Sequence, residues 1–254
     1  MAKALILVPF ALDEAGMANR HAQIDEVRLG PDITFDFRPV TAGPESFMSA
    51  HDWALMEMAI LEAGLSAQED GYDAICVDTM SDTGLGSLRS MLDIPVVAPG
   101  RASMLTALML GTRFGVLAHW EPHIARYHKA AREYGLGAFL ASVRSFDTPP
   151  DFVNMLSGRE DELFPKMLAA CELMVDDGAD VICLGTTVMH QAAGYLADNL
   201  PVPVINPGPL TYKLVEMLLG LGLSHSRTAY PRPLAPKPEM IRAMLRAAAE
   251  TERA

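Results

Sequence analysis

The chain contains one ten-residue motif twice. Residues 70–79 read DGYDAICVDT, and residues 177–186 read DGADVICLGT. Each copy is followed by a second shared segment, at 94–100 or 202–208, in which a proline-valine pair precedes a Pro-Gly pair. A spacing of about 107 residues is too long for a solenoid repeat and fits an α/β half-domain. The repeat therefore predicts two similar lobes that face each other, and the cleft between them is the expected functional site.

Composition narrows the class of protein. The chain has 254 residues, half of them apolar, and a net charge of −12. This charge disfavours nucleic acid and anionic membrane surfaces as partners, because both are themselves negative. No apolar run approaches the roughly 18 to 20 residues of a membrane span, and the N-terminus lacks a signal-peptide pattern. Three unevenly spaced cysteines indicate reduced thiols. We expect a globular protein of the cytoplasm with no membrane association.

Short apolar runs alternate with longer segments of helical period, which predicts βα units and mainly parallel sheets. The predicted strands are 4–9, 33–38, 73–79 and 96–98 in the first lobe, and 114–119, 141–146, 180–186 and 204–206 in the second. The predicted fold is therefore α/β, with two similar lobes that each hold a four-stranded, mainly parallel sheet flanked by helices. Pseudo-two-fold symmetry is expected to relate the lobes, with the site between them.

The lobe boundaries follow from the repeat. The first lobe is predicted to comprise residues 1–100 plus 209–254, and the second residues 101–208. The predicted helices are 49–68, 122–134, 161–175, 209–219 and 239–250. A proline-rich stretch at 229–238 cannot be helical, because proline lacks a donor and extends the residue before it. We interpret this stretch as a tether to the last helix.

Ligands of parallel sheets bind beyond the carboxyl ends of strands, where helices begin with free backbone N–H groups. The two copies of the motif place residues 79–84 and 186–190 at those positions. Hydroxyl and N–H donors from both lobes would favour a carboxylate, or an enolate that develops beside one. For either loop alone helix capping is the better explanation, but hydroxyl residues at equivalent positions of both copies favour a site.

These motifs resemble those of the aspartate/glutamate/hydantoin racemase superfamily. Residues 43–46 with Asp52, residues 81–85, and residues 185–187 with 203–205 are most similar to its hydantoin and allantoin racemase branch. The resemblance spans roughly residues 4 to 228 and implies a cofactor-independent enzyme that is a homo-oligomer. It also implies two cysteines that exchange protons on opposite faces of the substrate's α-carbon. The matching positions here are Thr79 and Thr186.

The two threonines change the expected chemistry. A helix N-terminus can lower the pKa of a thiol enough to form a thiolate, whereas an alkanol hydroxyl is too weak an acid to be ionised in this way. Thr79 and Thr186 can still form hydrogen bonds, or act as nucleophiles beside a base. Cys76 and Cys183 lie three residues earlier, inside the predicted strands, and are interpreted as core residues.

The candidate site residues fall into two groups. The predicted catalytic residues are Thr79, Thr186, Asp78 and His190. The predicted substrate-binding residues are Met80, Ser81, Asp82, Thr187, His119, Trp120 and Pro9. A carboxylate and an imidazole would suffice for general acid-base catalysis. Alternatives stay open, because Asp82 is also explained as an N-cap, Asp78 as pointing away from the cleft, and His190 as structural.

Three functions are compatible with these residues. The first is a racemase, epimerase or isomerase that transfers a proton at a carbon next to a carboxylate or cyclic amide of a small substrate. The second is a lyase, decarboxylase or hydrolase that uses the threonine hydroxyls in place of thiols. The third is a binding protein for small acids that lacks turnover. The histidines show no metal-ligand spacing and no phosphate loop is present, so neither a metal nor another cofactor is expected.

Overall fold

The computed structural model describes residues 1–149, 156 and 158–252. The chain divides into two compact units. Unit 1 comprises Met1–Ala98 with Thr211–Ala254, and unit 2 comprises Pro99–Leu210. Among the described residues, no helix is long and apolar enough to cross a membrane.

Unit 1 is built on a four-stranded parallel sheet in the order β2-β1-β3-β4. Its strands are β1 (Ala2–Val8), β2 (Ile33–Pro39), β3 (Ala74–Val77) and β4 (Val96–Val97). Its helices are α1 (Glu14–His21), α2 (Ala50–Gly64), α3 (Leu85–Met91), most of α8 (Pro207–Gly220) and α9 (Pro238–Glu252). All four residues of β3 are buried, as expected for a central parallel strand with both faces covered.

Unit 2 repeats this arrangement with the order β6-β5-β7-β8, again all parallel. Its strands are β5 (Phe114–Ala118), β6 (Leu140–Ser145), β7 (Val181–Leu184) and β8 (Val204–Ile205). Its helices are α4 (Pro99–Leu110), α5 (Ile124–Glu133), α6 (Glu160–Asp176) and α7 (Ala193–Asn199). The structure confirms the predicted α/β fold with two four-stranded parallel sheets flanked by helices.

The repeated Asp-Gly pair forms the turn that leads into β3 in unit 1 and into β7 in unit 2. Gly71 and Gly178 have φ angles of 86° and 93°, a left-handed conformation that glycine adopts without steric cost. The second aspartate of each copy then sets the strand register. Asp73 accepts a hydrogen bond from the backbone N–H of Lys3 at 2.8 Å, and Asp180 accepts one from that of Arg113 at 2.9 Å. The motif is repeated because the same turn and the same strand alignment are needed twice.

Each sheet has its own apolar core. In unit 1, Ile6 and Cys76 pack with Tyr212 and Val215 of α8. In unit 2, Ile182 and Leu184 of β7 belong to a larger cluster that includes residues of α6. Each Å² of buried apolar surface contributes about 25 cal/mol, so these two clusters are the main source of stability. They also hold the carboxyl ends of β3 and β7 in place.

Candidate functional site

Thr79 lies just beyond β3 and begins a chain of hydroxyl groups. Its Oγ1 atom is 3.0 Å from Ser81 Oγ, which is 2.7 Å from Thr83 Oγ1. Thr79 is 9% exposed, whereas Ser81 and Thr83 are half-buried. Hydroxyls linked in this way polarise one another, so Thr79 is presented as an oriented donor or acceptor. Met80, between them, is buried.

Asp78 occupies the last position before Thr79, and its carboxylate is held by an ion pair. Arg20 Nη1 of α1 lies 3.0 Å from Asp78 Oδ2, and the two side chains are 2% and 1% exposed. Gln23 Nε2 donates to the same oxygen at 3.3 Å. The predicted catalytic residue Asp78 thus anchors residues 20–23 to the strand end. Sequence reasoning missed Arg20 and Gln23, because the contacts join residues more than 50 positions apart.

Tyr212 of α8 is a second buried polar group in this region. Its hydroxyl has no hydrogen-bond partner among the described residues. Burial and the nearby charge of Asp78 raise its pKa well above 10. The phenol therefore stays neutral, and it offers a hydrogen-bond donor rather than a charge beside the ion pair.

The backbone N–H groups at the start of α3 were expected to be free for a ligand, but the Gly84 N–H already has a partner within the protein. The Glu57 carboxylate of α2 accepts a hydrogen bond from the Gly84 N–H at 2.6 Å, and the Ser87 hydroxyl donates to the same carboxylate. A carboxylate at this position is stabilised by the helix dipole. The protein's own Glu57 therefore occupies the site at which a substrate carboxylate was expected.

Two residues of the loop before α3 have left-handed backbone conformations. Asp82 has a φ angle of 54° and Gly84 one of 83°. A Cβ atom at position 84 would lie 2.8 Å from Ile60 Cβ, so only glycine fits. The predicted binding residue Asp82 is half-buried, and its carbonyl accepts the Leu85 N–H at 3.2 Å. Asp82 closes the turn that brings the hydroxyl chain and α3 together. Pro9, which follows β1 in the same unit, is buried.

In unit 2, Gly185 precedes Thr186 where unit 1 has Asp78 before Thr79. The Gly185 N–H donates to the Leu117 carbonyl at 2.8 Å, and the Gly185 carbonyl accepts a hydrogen bond from the Tyr127 hydroxyl at 2.5 Å. A Cβ atom at this position would press against the Leu117 carbonyl and lie 2.7 Å from the Tyr127 oxygen. The repeat loses its aspartate here because there is no room for a side chain.

Thr186 is half-buried and is the N-cap of a 3-10 helix, Thr187–Ala192. This helix leads directly into α7. The predicted site residues Thr187 and His190 lie on this helix and are 2% and 1% exposed. The His190 carbonyl accepts a hydrogen bond from Asn206 Nδ2 at 3.4 Å. Thr186 and His190 therefore belong to one tightly wound segment that is fastened to the loop after β8.

His119 follows β5 and packs against His123, with 4.6 Å between the ring centroids. Both side chains are buried. Burial, with smaller contributions from the Arg126 charge and the neighbouring imidazole, lowers the pKa of His119 to about 3. Burial and Arg126 lower the pKa of His123 to about 4. Both imidazoles are therefore neutral at pH 7. The predicted residue Trp120 is half-buried, with its ring 5.6 Å from that of His123.

The cysteines are confirmed as core residues. Cys76, Cys171 and Cys183 are free and buried. Burial raises the pKa of the Cys171 and Cys183 thiols to about 12 and raises that of Cys76 further. No thiolate is available from these residues at neutral pH. Within the part of the chain that the structure describes, no three His, Cys, Asp or Glu residues form a group suited to a metal ion.

Comparison with known proteins gives a consistent result. The family model for Asp/Glu/hydantoin racemases matches residues 15–215. A hydantoin racemase of Paenarthrobacter aurescens is 29% identical over 197 residues, which cover 75% of this chain and 81% of that protein. A hydantoin racemase of Rhizobium meliloti is 27% identical over 198 residues, which cover 76% and 80%.

Solved structures share the fold. An allantoin racemase from Klebsiella pneumoniae has a TM-score of 0.83 at 24% identity, and the match covers 93% of this chain and 95% of that chain. An arylmalonate decarboxylase has a TM-score of 0.58 at 17% identity, with coverages of 87% and 94%. At these identities the structural likeness shows the fold alone.

Proposed function

The chain belongs to the Asp/Glu/hydantoin racemase family, and we propose that it transfers a proton at a carbon next to a carboxylate or cyclic amide of a small substrate. The observation that carries the proposal is the duplicated strand end. Thr79 after β3 and Thr186 after β7 occupy the same position in their respective sheets. The names of the curated relatives, which are hydantoin racemases, support this reaction class.

In the proposed mechanism, the hydroxyls of Thr79 and Thr186 donate hydrogen bonds to oxygen atoms of the substrate on which negative charge develops. Such donors, fixed before the reaction begins, stabilise an enolate more than its neutral precursor. The Ser81 and Thr83 hydroxyls orient Thr79. Asp78 acts through its ion pair with Arg20, which fixes the strand end, rather than by touching the substrate.

The proton itself needs a basic group, since a threonine hydroxyl cannot serve as one. We assign this role to His190, which lies on the same 3-10 helix as Thr187 and follows Thr186 by one turn. Imidazole is suited to take up and return a proton near neutral pH. The remaining predicted residues, Met80, Asp82, Thr187, His119, Trp120 and Pro9, are assigned to substrate binding. The mechanism uses no cofactor.

A second candidate is a lyase or decarboxylase reaction on the same residues. It is favoured by the hydroxyl chain at Thr79, which provides donors but no basic atom. Loss of carbon dioxide forms an enolate without removal of a C–H proton, so it needs such donors and one group that returns a proton. The shared fold of arylmalonate decarboxylase is compatible with this chemistry.

The test is a panel of chiral hydantoins, α-substituted carboxylates and arylmalonates incubated with the protein in D₂O. NMR follows deuterium at the α-carbon, and circular dichroism follows loss of optical activity. We expect exchange with racemisation, and a loss of about 10²-fold to 10³-fold in rate for Thr79→Ala or Thr186→Ala. Thr228→Ala, at an exposed threonine of the turn before the proline-rich stretch, is the matched control.

Three other results would change the proposal. Release of carbon dioxide from the malonates without exchange at the other substrates would select the second candidate. Thermal stabilisation by a small acid without any turnover would identify a binding protein and overturn both candidates. Full activity in both threonine variants would remove the two hydroxyls from the mechanism.

A further inference from the structure

Arg126 of α5 is a half-buried cation without a carboxylate partner among the described residues. Its guanidinium donates one hydrogen bond, from Nη2 to the Tyr127 hydroxyl at 2.6 Å, and its Cζ lies 4.7 Å from the Tyr127 ring centroid. Its Nε atom is buried and has no hydrogen-bond partner in the described part of the chain. In a chain of net charge −12, with 32 acidic residues, an unpaired guanidinium at this depth calls for an explanation.

The position of Arg126 connects it to the strand end of unit 2. The Tyr127 hydroxyl that accepts its hydrogen bond donates in turn to the Gly185 carbonyl at 2.5 Å. Two hydrogen bonds thus separate the guanidinium from the residue that precedes Thr186. The positive charge is held at the end of β7, where the duplicated motif places its threonine.

His119 supplies a second, independent indication of a ligand. The residue is 3% exposed, and neither ring nitrogen has a hydrogen-bond partner among the described residues. A buried imidazole without partners loses the free energy of two hydrogen bonds to water. The ring follows β5, the neighbour of β7 in the sheet, and its charge is suppressed by burial and by Arg126. A neutral imidazole offers one donor and one acceptor.

We propose that Arg126 binds a carboxylate of the substrate and that His119 completes the contact as a neutral hydrogen-bonding group. This inference rests on the proposed function and narrows it to acidic substrates. A guanidinium matches the planar geometry of a carboxylate and can donate two parallel hydrogen bonds to it. A single cation balances a monoanion, which favours a carboxylate over a phosphate dianion. The local charge also counters the repulsion that the negative protein exerts on an anion.

The alternative role for Arg126 is purely structural, as a brace for the Tyr127 hydroxyl that holds Gly185. The two roles differ in what they do to ligands of different charge. A brace affects every ligand of the strand end equally, whereas a carboxylate site affects only the anionic ones. The test therefore uses pairs of probes that differ only in charge.

The probes are hydantoin-5-acetic acid with hydantoin-5-acetamide, and 2-phenylpropanoate with 2-phenylpropanamide. Binding is measured by calorimetry in a buffer free of carboxylates, and deuterium exchange is measured on the same samples. We expect the wild-type protein to prefer the acid of at least one pair. Arg126→Gln should weaken binding of that acid by about tenfold and binding of its amide by less than about twofold. Arg126→Lys keeps the charge but loses the planar guanidinium, so its affinity for the acid should lie between those of the wild-type protein and Arg126→Gln.

Arg132→Gln is the matched control, because it removes the same charge from an exposed position of the same helix. Tyr127→Phe tests the brace and should weaken the acid and the amide to the same extent. Equal losses for acid and amide in Arg126→Gln, a wild-type preference for the amides, or binding of neither pair would overturn the inference. Failure of exchange with the acid preference intact would reject the proposed reaction and leave the carboxylate site standing.

Discussion

The two strand ends occupy the same position in their sheets and differ in the side chain that precedes the threonine. In unit 1 this residue is Asp78, whose buried carboxylate is neutralised by Arg20. In unit 2 it is Gly185, whose carbonyl accepts a hydrogen bond from Tyr127. Arg126, which has no carboxylate partner among the described residues, donates to the same Tyr127 hydroxyl. Unit 1 therefore compensates its buried charge internally and presents hydroxyls, whereas unit 2 keeps a positive charge available. Duplication conserved the scaffold and let the electrostatics of the two ends diverge.

The largest loss of stability is expected for Asp78→Ala, which removes the carboxylate of the ion pair at the end of β3. Removal of one partner leaves the buried guanidinium of Arg20 without its carboxylate, at a cost of about 3 to 5 kcal/mol in the free energy of unfolding. Urea denaturation measures this loss. Glu133→Ala is the control, because it breaks an exposed i,i+4 pair with Lys129 worth only about 0.5 kcal/mol. Equal losses in the two variants would show that the Asp78 ion pair is not the anchor of this strand end.

A companion double variant sharpens the same comparison. Arg20→Met with Asp78→Leu replaces both charges by apolar side chains of similar volume, and it should recover most of the stability that Asp78→Ala loses. If the double variant stays stable but is inactive, the ion pair serves the geometry of Thr79 rather than the fold.

The next effect is expected for Gly185→Ala, which introduces a side chain into unit 2 where unit 1 has one. The added Cβ would crowd the Leu117 carbonyl and the Tyr127 hydroxyl, both of which are fixed, so we expect a loss of about 1 to 3 kcal/mol. Gly194→Ala in α7 is the matched control, since its Cβ would meet no atom within 4 Å. That variant should be neutral or more stable by up to about 1 kcal/mol. Unchanged stability in Gly185→Ala would mean that the close approach at this end is not required.

The smallest effect concerns the pH dependence that the buried imidazoles give to unit 2. The pKa of His119 is about 3 in the folded protein and about 6.5 in an unfolded chain, so acid protonates the unfolded state first. The neutral ring therefore makes its full contribution to the free energy of unfolding above pH 7. This contribution is lost as the pH falls from about 6.5 towards 3. Between pH 7 and 5 the loss is about 2 kcal/mol for this residue.

His119→Gln should flatten this part of the stability curve, measured by urea denaturation at several pH values. The titration of the ring is followed directly by NMR in the wild-type protein. A midpoint near 6.5 would contradict the burial of His119, which is one of the observations on which the Arg126 site rests.

The sheets were predictable because the information that specifies them is local. All eight predicted strands are present among the described residues, and β3 and β7 are each preceded by the Asp-Gly turn that the repeated motif contains. The long helix predicted at 49–68 begins at Ala50, where Ser49 and Asp52 form a capping box, but ends at Gly64. The helices α1, α3, α4 and α7 were not predicted. Three of them have only seven or eight residues, which carry too little periodicity to be distinguished from loops, and α4 begins with a Pro-Gly pair, which is typical of a turn.

The surroundings of the candidate site were less predictable. Thr79 and Thr186 were found from the repeat alone, but the groups around them come from distant segments. Glu57 reaches the start of α3 from a position 27 residues away, and Tyr127 reaches Gly185 across 58 residues. Arg126 carried one signal in the sequence, an arginine on a short helix after the strand that ends near His119. Nothing there showed that it would have no carboxylate partner in the described part of the chain.

The sequence by itself determined two parallel sheets and the threonine that follows β3 and β7, because apolar runs, glycine turns and the residues of a repeated motif are local features of the chain. Only the tertiary structure decided that Asp78 is neutralised, that Gly185 admits no side chain and that Arg126 meets no carboxylate among the residues that the structure describes. These properties depend on which polar groups meet after the chain has folded, since burial and pairing determine whether a charge is compensated or remains available.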